Sequence, residues 1–233
     1  MDAFITRRGG GKSSEANIIL RGIPDEKITI TLNGVAIDVV TLDSSGDGNV
    51  IVKNAVRKDM TLTGSISGYS KTVNIVNNRM VIDVWPDGAL YWYGRFFNDV
   101  TGDWIAKGKA YSSGTPIVGN ISVTKHADRV YIKQTENTGT GVYYTSKKIN
   151  LDGYNKLVLI SSKGNGSWTQ LCVWSSLGTY ATQNIVASRS VSGTDSKDIY
   201  PLDLNEYGYD SYYIGFYLHH NTTQVNMYAL YLE

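Results

Sequence analysis

Lys27-Ile28-Thr29-Ile30-Thr31-Leu32-Asn33-Gly34-Val35-Ala36-Ile37-Asp38-Val39-Val40-Thr41 decides the fold class. Up to Leu32 the residues alternate polar and apolar, which is the period of a strand with one buried face. Asn33-Gly34 then separates this run from a second β-prone one. A two-residue hairpin turn of type I′ needs positive φ at both central positions, and Asn followed by Gly meets that need at least steric cost. The stretch therefore predicts a β-hairpin.

The rest of the chain repeats this grammar. It holds 17 tyrosines and 24 glycines but only four prolines, and turn clusters separate short β-prone runs throughout. No apolar stripe of helical period spans three turns, so the expectation is an all-β protein of two antiparallel β-sandwiches. At 233 residues with 42% hydrophobic content, the chain can bury a sizeable core. Twenty-two basic residues against 21 acidic ones give no global charge excess to drive binding to nucleic acid or an anionic membrane. No apolar run reaches the length of a membrane span. A single cysteine, Cys172, excludes an internal disulfide and a cysteine-based zinc cluster, and reads as a buried thiol.

Strand and turn signals divide the chain into four parts: an arm over 1–15, a small sandwich over 16–85, an aromatic-rich junction over 86–112 and a longer jelly-roll-like sandwich over 113–233. In the small sandwich the turns are Ile23-Pro24-Asp25, Asn33-Gly34, Asp43 to Gly48 and Ser67-Gly68-Tyr69. The stretch Leu90-Tyr91-Trp92-Tyr93-Gly94, then Phe96-Phe97 and Trp104, is too apolar for a flexible linker. It either seals the junction or begins the second sandwich. Within 211–219, Tyr212, Ile214, Phe216 and Leu218 alternate with Tyr213, Gly215, Tyr217 and His219, which predicts a core face and a tyrosine-lined surface. A further strand is expected from Tyr180 to Ala187.

Three resemblances accompany this reading. The arm, Met1 to Gly11, carries Phe-Ile-Thr-Arg-Arg-Gly-Gly and is similar to the start of virion proteins of phages and prophages of Gram-positive bacteria. It has no uninterrupted apolar stretch of the kind a secretory signal needs. The strand, Asp-Ser-Ser-Gly turn and strand order of the first sandwich resembles small prealbumin-like or immunoglobulin-like modules of bacterial surface proteins and phage tails. Ile149-Asn150-Leu151-Asp152-Gly153-Tyr154 and Tyr212-Tyr213-Ile214-Gly215 resemble segments of galactose-binding-like or carbohydrate-binding jelly rolls.

Catalytic motifs fail on their own chemistry. Gly11-Lys12-Ser13 lacks the first glycine of a phosphate-binding loop, where Thr6 stands, and has no preceding strand. Asp43, Ser45, Asp47 and Gly48 imitate a calcium loop, yet position twelve is Asn54 in place of the bidentate Glu. Gly64-Ser65-Ile66-Ser67-Gly68 has isoleucine where a nucleophile would sit. His219 and His220 are neighbours on a strand, pointing to opposite faces, so they do not share a metal. Asp99, Asp103, Asp195, Asp198, Asp203 and Glu206 all stand in turn-like polar contexts, which are poor settings for a glycosidase acid pair. No enzyme, cofactor or metal site is expected.

Sugar recognition needs less: an aromatic face to stack on pyranose C–H surfaces, and amides to bond hydroxyls. Trp168, Trp174, Tyr180, Asn165 and Gln183 supply these types within one segment. With the resemblances, they imply a non-enzymatic phage virion protein, tail-associated, binding host cell-wall carbohydrate through its second sandwich. Phe4, Ile5, Arg7 and Arg8 would dock it to other virion proteins. Its partners would be those proteins, copies of itself up to a trimer or larger, and the host polysaccharide; its place would be the virion, assembled in the host cytoplasm. Two alternatives are a capsid or head-fibre decoration without sugar binding, and a free carbohydrate-binding module.

Overall fold

A computed structural model of the chain describes residues 15–109, 119–135, 139–193, 195–205, 207, 210–219 and 223–233, with the backbone alone at 165–167. Phe4, Ile5, Arg7 and Arg8, the expected docking residues, lie outside this set, as do Glu206 and His220. The chain divides into two compact units, with the boundary between Trp85 and Pro86. Both are built of strands, with a single four-residue helix among the described residues, so the protein is all-β.

The first unit contains β1 (Ala16–Arg21), β2 (Lys27–Leu32), β3 (Val35–Thr41), β4 (Asp47–Val52), β5 (Asp59–Gly64), β6 (Ser70–Asn74) and β7 (Arg79–Asp83). They form two sheets, β4-β1-β7 and β3-β2-β5-β6. Ile18, Leu20, Ile28, Ile30, Val50, Met60 and Leu62 alternate inward and share one core. The β2–β3 turn has φ of 49° at Asn33 and 82° at Gly34, as its sequence predicts. Asp43 Oδ1 accepts N–H bonds from Ser45 at 2.8 Å and Asp47 at 3.0 Å, so the calcium-like stretch is a carboxylate-braced turn that carries the chain from β3 in one sheet to β4 in the other. Gly46 completes it with φ of 81°, and a Cβ there would lie 2.4 Å from the Gly22 carbonyl oxygen. Glu26 is buried and clamps the turn after β5. Its Oε1 accepts bonds from the Ile66 N–H at 3.0 Å, and from the Ser67 N–H and Oγ at 2.9 Å.

The second unit opens with β8 (Gly88–Trp92), β9 (Arg95–Phe96), α1 (Asn98–Thr101) and β10 (Trp104–Lys109). The stretch from 86 onward thus begins the second sandwich. Its aromatic residues are used in packing: Phe96 lies 4.8 Å from Tyr91 and Trp104 lies 5.1 Å from Tyr143, centroid to centroid. There follow β11 (Ile121–Lys125), β12 (Val130–Gln134), β13 (Thr140–Thr145), β14 (Ile149–Asn150), β15 (Lys156–Ser162), β16 (Asn165–Trp174), β17 (Ile185–Ser192), β18 (Asp198–Asp203), β19 (Ser211–His219) and β20 (Gln224–Leu232). One sheet runs β10-β13-β19-β16-β17, with β14 added to β19; the other runs β11-β12-β20-β15-β18, with β8 paired to β20 and β9 to β8.

Side chains from both sheets fill the space between them, including Tyr143, Leu171, Val173, Ile214 and Phe216 from the first and Leu157, Leu159, Val225, Met227 and Leu230 from the second. In β19 the core face is as expected, with Tyr212, Ile214, Phe216 and Leu218 on this core, but the opposite face is not a tyrosine-lined surface: Tyr217 and His219 are buried and Tyr213 is half-buried. The strand expected from Tyr180 is instead a loop, and β17 begins at Ile185. Asn184 adopts φ of 63°, a left-handed conformation that breaks the extended run.

Candidate binding face

The sheet β10-β13-β19-β16-β17 has a second face, turned away from the main core. Register fixes what stands on it, because residues paired across strands point the same way. Lys107 pairs with Val142, Val142 with Tyr217 and Tyr217 with Gln170; Gln170 in turn pairs with Ser190. One row on, Ile105, Tyr144, Gly215, Cys172 and Ser188 follow in the same order. At the other side Lys109 pairs with Thr140 and Thr140 with His219, and the Trp168 ring reaches His219.

The loop over 175–184 crosses this face. Trp174, Cys172, Val142, Tyr144, Tyr217 and Ala181 form a small second core beneath it, with Leu177 and Ile185 packed alongside. The Trp174 indole N–H donates to the Ala181 carbonyl at 3.1 Å. Lys109 Nζ donates to the Gly178 carbonyl from the far edge strand. Asn184 Nδ2 meets Ser176 Oγ at 2.8 Å, closing the loop on itself. The face is therefore divided into a roofed middle and open flanks.

Each residue named from the sequence now has a place. Trp168 is 46% exposed, with its centroid 4.8 Å from that of His219, and it presents a broad apolar surface. Trp174 is 1% exposed, so its proposed stacking role is corrected: the ring is the floor of the loop, held by its own N–H bond. Tyr180 and Gln183 are on the loop, half-buried and exposed respectively, and line a small recess with Lys109, Leu177 and Gly178. Asn165 opens β16, and its side chain falls outside the described part. Gln170, Ser188 and Ser190, half-buried or exposed on the same face, add amide and hydroxyl groups beside Trp168 that were not singled out from the sequence. Their signal was strand parity with Trp168, visible only once β16 and β17 are paired.

His219 is also new to the site. It is 5% exposed and lies between Trp168 and Tyr217, stacked on the latter at 5.9 Å and 21°. It props the indole from behind. Cys172 sits under the loop, where burial pushes its thiol pKa well above the ordinary value. Burial, and then the neighbouring Lys107 charge, lower the pKa of Lys109.

Every strand of this sheet, and the loop over 175–184, is free of Asp and Glu. Nor do the described residues contain a group of three or more His, Cys, Asp or Glu able to hold a metal. The arrangement offers a rigid ring flanked by hydrogen-bonding groups.

No protein-family model matches the chain, and no curated protein matches it. Among solved structures it is similar to a family 11 carbohydrate-binding module from Clostridium thermocellum in complex with a β-1,3-1,4-mixed-linked tetrasaccharide. That likeness has 10% identity and a TM-score of 0.42, over 62% of this chain and 94% of the other. A structure described for the promiscuous specificity of β-sandwich carbohydrate-binding modules is similar at 10% identity and a TM-score of 0.43, over 94% of this chain and 98% of the other. A Clostridium stercorarium module in complex with cellobiose follows at 15% identity and a TM-score of 0.32, over 56% of this chain and 92% of the other.

Proposed function

We propose that the second unit is a non-catalytic carbohydrate-binding module, and that its binding surface is the outer face of the β10-β13-β19-β16-β17 sheet around Trp168. The observation that carries this reading is the half-exposed indole of Trp168 braced by His219, beside Gln170, Ser188 and Ser190. A ring held from behind stacks on a pyranose at little entropic cost, and the adjacent amide and hydroxyls bond sugar hydroxyls. The lack of carboxylates on that sheet supports binding over hydrolysis.

The ligand we propose is the cell-wall polysaccharide of a Gram-positive host, and the setting is a phage virion, most simply the tail. This part of the proposal rests on the Phe4-Ile5-Thr6-Arg7-Arg8 string and its resemblance to the start of virion proteins. Weak single sites become effective when many copies on one particle act together. Cosedimentation with purified cell walls tests the binding: the wild type pellets, and Trp168→Ala stays in solution with its melting temperature nearly unchanged. Deleting Met1 to Lys12 tests the setting, since the truncated protein should still bind walls but be missing from particles. Retention of the truncated protein on particles would show that the arm is not the anchor, and absence of the full-length protein from particles would return the reading to a free module.

A further inference from the structure

The outer face has a charge of one sign. Lys107 is exposed beside Val142, Lys109 reaches the loop at Gly178, and Lys148 lies with its Nζ 5.9 Å from the Tyr213 ring centre. None of the three has a carboxylate partner among the described residues. The described acids that flank the strands of this sheet, Asp103, Asp152, Asp195 and Asp210, lie outside them. A balanced surface intersperses both signs, and the chain as a whole is nearly neutral. Lys109 is half-buried beside Lys107 and donates to the Gly178 carbonyl, so two charges of like sign stand together at this edge.

We infer that the glycan this face takes is anionic, a polysaccharide carrying phosphate or carboxylate groups that Lys107, Lys109 and Lys148 meet. The inference rests on the carbohydrate-binding reading above and narrows it to one ligand class. Geometry suits a polymer: Trp168 on β16 and Lys109 on β10 are three strand spacings apart, about 14 Å, the reach of a short oligosaccharide. Tyr180 and Gln183 line the recess beside Lys109. Trp168 holds a ring by its face while the lysines hold charge along the chain.

Titration calorimetry on the full chain, with three probes, tests this. They are an oligogalacturonate carrying carboxylates, a poly(ribitol phosphate) carrying phosphates, and neutral cellohexaose. At about 0.05 M salt, at least one anionic probe should bind about tenfold tighter than cellohexaose, and the advantage should vanish at about 0.5 M, where screening is short-ranged. Which anionic probe wins identifies the charged group. Lys107→Gln, at an exposed position, should remove several-fold of the anionic advantage without lowering the melting temperature; Lys148→Gln provides a second such test. If cellohexaose binds as well as the anionic probes, and Trp168→Ala abolishes it, the module reading stands and the anionic inference falls. If none of the probes binds, both fall.

Discussion

The indole of Trp168 and the imidazole of His219 lie 4.8 Å apart, centroid to centroid, with 40° between their planes. One ring is half in solvent and the other is buried. Trp168 therefore packs on His219 while 46% of its surface stays exposed, the arrangement a stacking platform requires. Trp168→Ala should cost about 1 kcal/mol or less in stability, as a partly exposed side chain away from the main core. It should abolish wall binding. Differential scanning calorimetry and cosedimentation on the same sample separate the two effects, and a large fall in melting temperature would place the ring in the core.

Trp174→Ala should behave in the opposite way. The ring fills the small core under the loop and donates its N–H to Ala181, so its removal leaves a cavity and an unmatched carbonyl. A loss of about 3–5 kcal/mol is expected from large-to-small truncation in a core. Chemical denaturation monitors it, and a change under about 1 kcal/mol would contradict the buried placement.

How much of this could be read beforehand depends on which interactions were local. The β2–β3 hairpin was legible because Asn33-Gly34 sets its own φ angles, and the core face of β19 because parity within one strand needs no partner. Trp168 and Trp174 look alike in sequence, six residues apart and on the same face. What distinguishes them is the 175–184 loop, which folds back over one and leaves the other open. That loop is anchored by Lys109, 69 residues from Gly178, and no local pattern announces such a tether. His219 stayed out of the expected site because its role depends on β16 lying beside β19.

The Cys172 thiol should be inert in the folded protein. It is buried under the loop with its pKa raised, so its thiolate is scarce at neutral pH. Ellman's reagent should label it only after denaturant is added. Rapid labelling of native protein would show that the loop opens readily.

Glu26→Ala should destabilise the first unit by about 3 kcal/mol, because three donors lose one buried acceptor. Glu26→Gln keeps an acceptor oxygen and should cost less. Calorimetry that tracks the unfolding of the first unit checks the order of the two variants; equal losses would show that the charge, and not the acceptor, is what matters.

The lowered Lys109 pKa gives binding a pH dependence of definite sign. Burial acts first and Lys107 second, and both disfavour the charged form. In the window between the folded and the higher unfolded pKa, the folded state binds fewer protons, so stability rises slightly as pH rises through it. A bound anion favours the charged form. Affinity for an anionic glycan should thus hold at neutral pH and decline on the alkaline side, earlier than for an ordinary lysine, with proton uptake on binding. Calorimetry in two buffers of different ionisation enthalpy measures that uptake, and a flat profile would contradict the role of Lys109.

The most direct measurement is a proton–nitrogen NMR titration of the protein with solubilised Gram-positive cell-wall polysaccharide. There are five tryptophans, so the indole N–H of Trp168 is identified as the signal missing from Trp168→Ala. The account predicts that this signal shifts together with the amides of Gln170, Ser188 and Ser190, while the Trp174 indole, held to Ala181, moves little. Shifts confined to other strands, or none at saturating polysaccharide, would contradict the placement of the binding face.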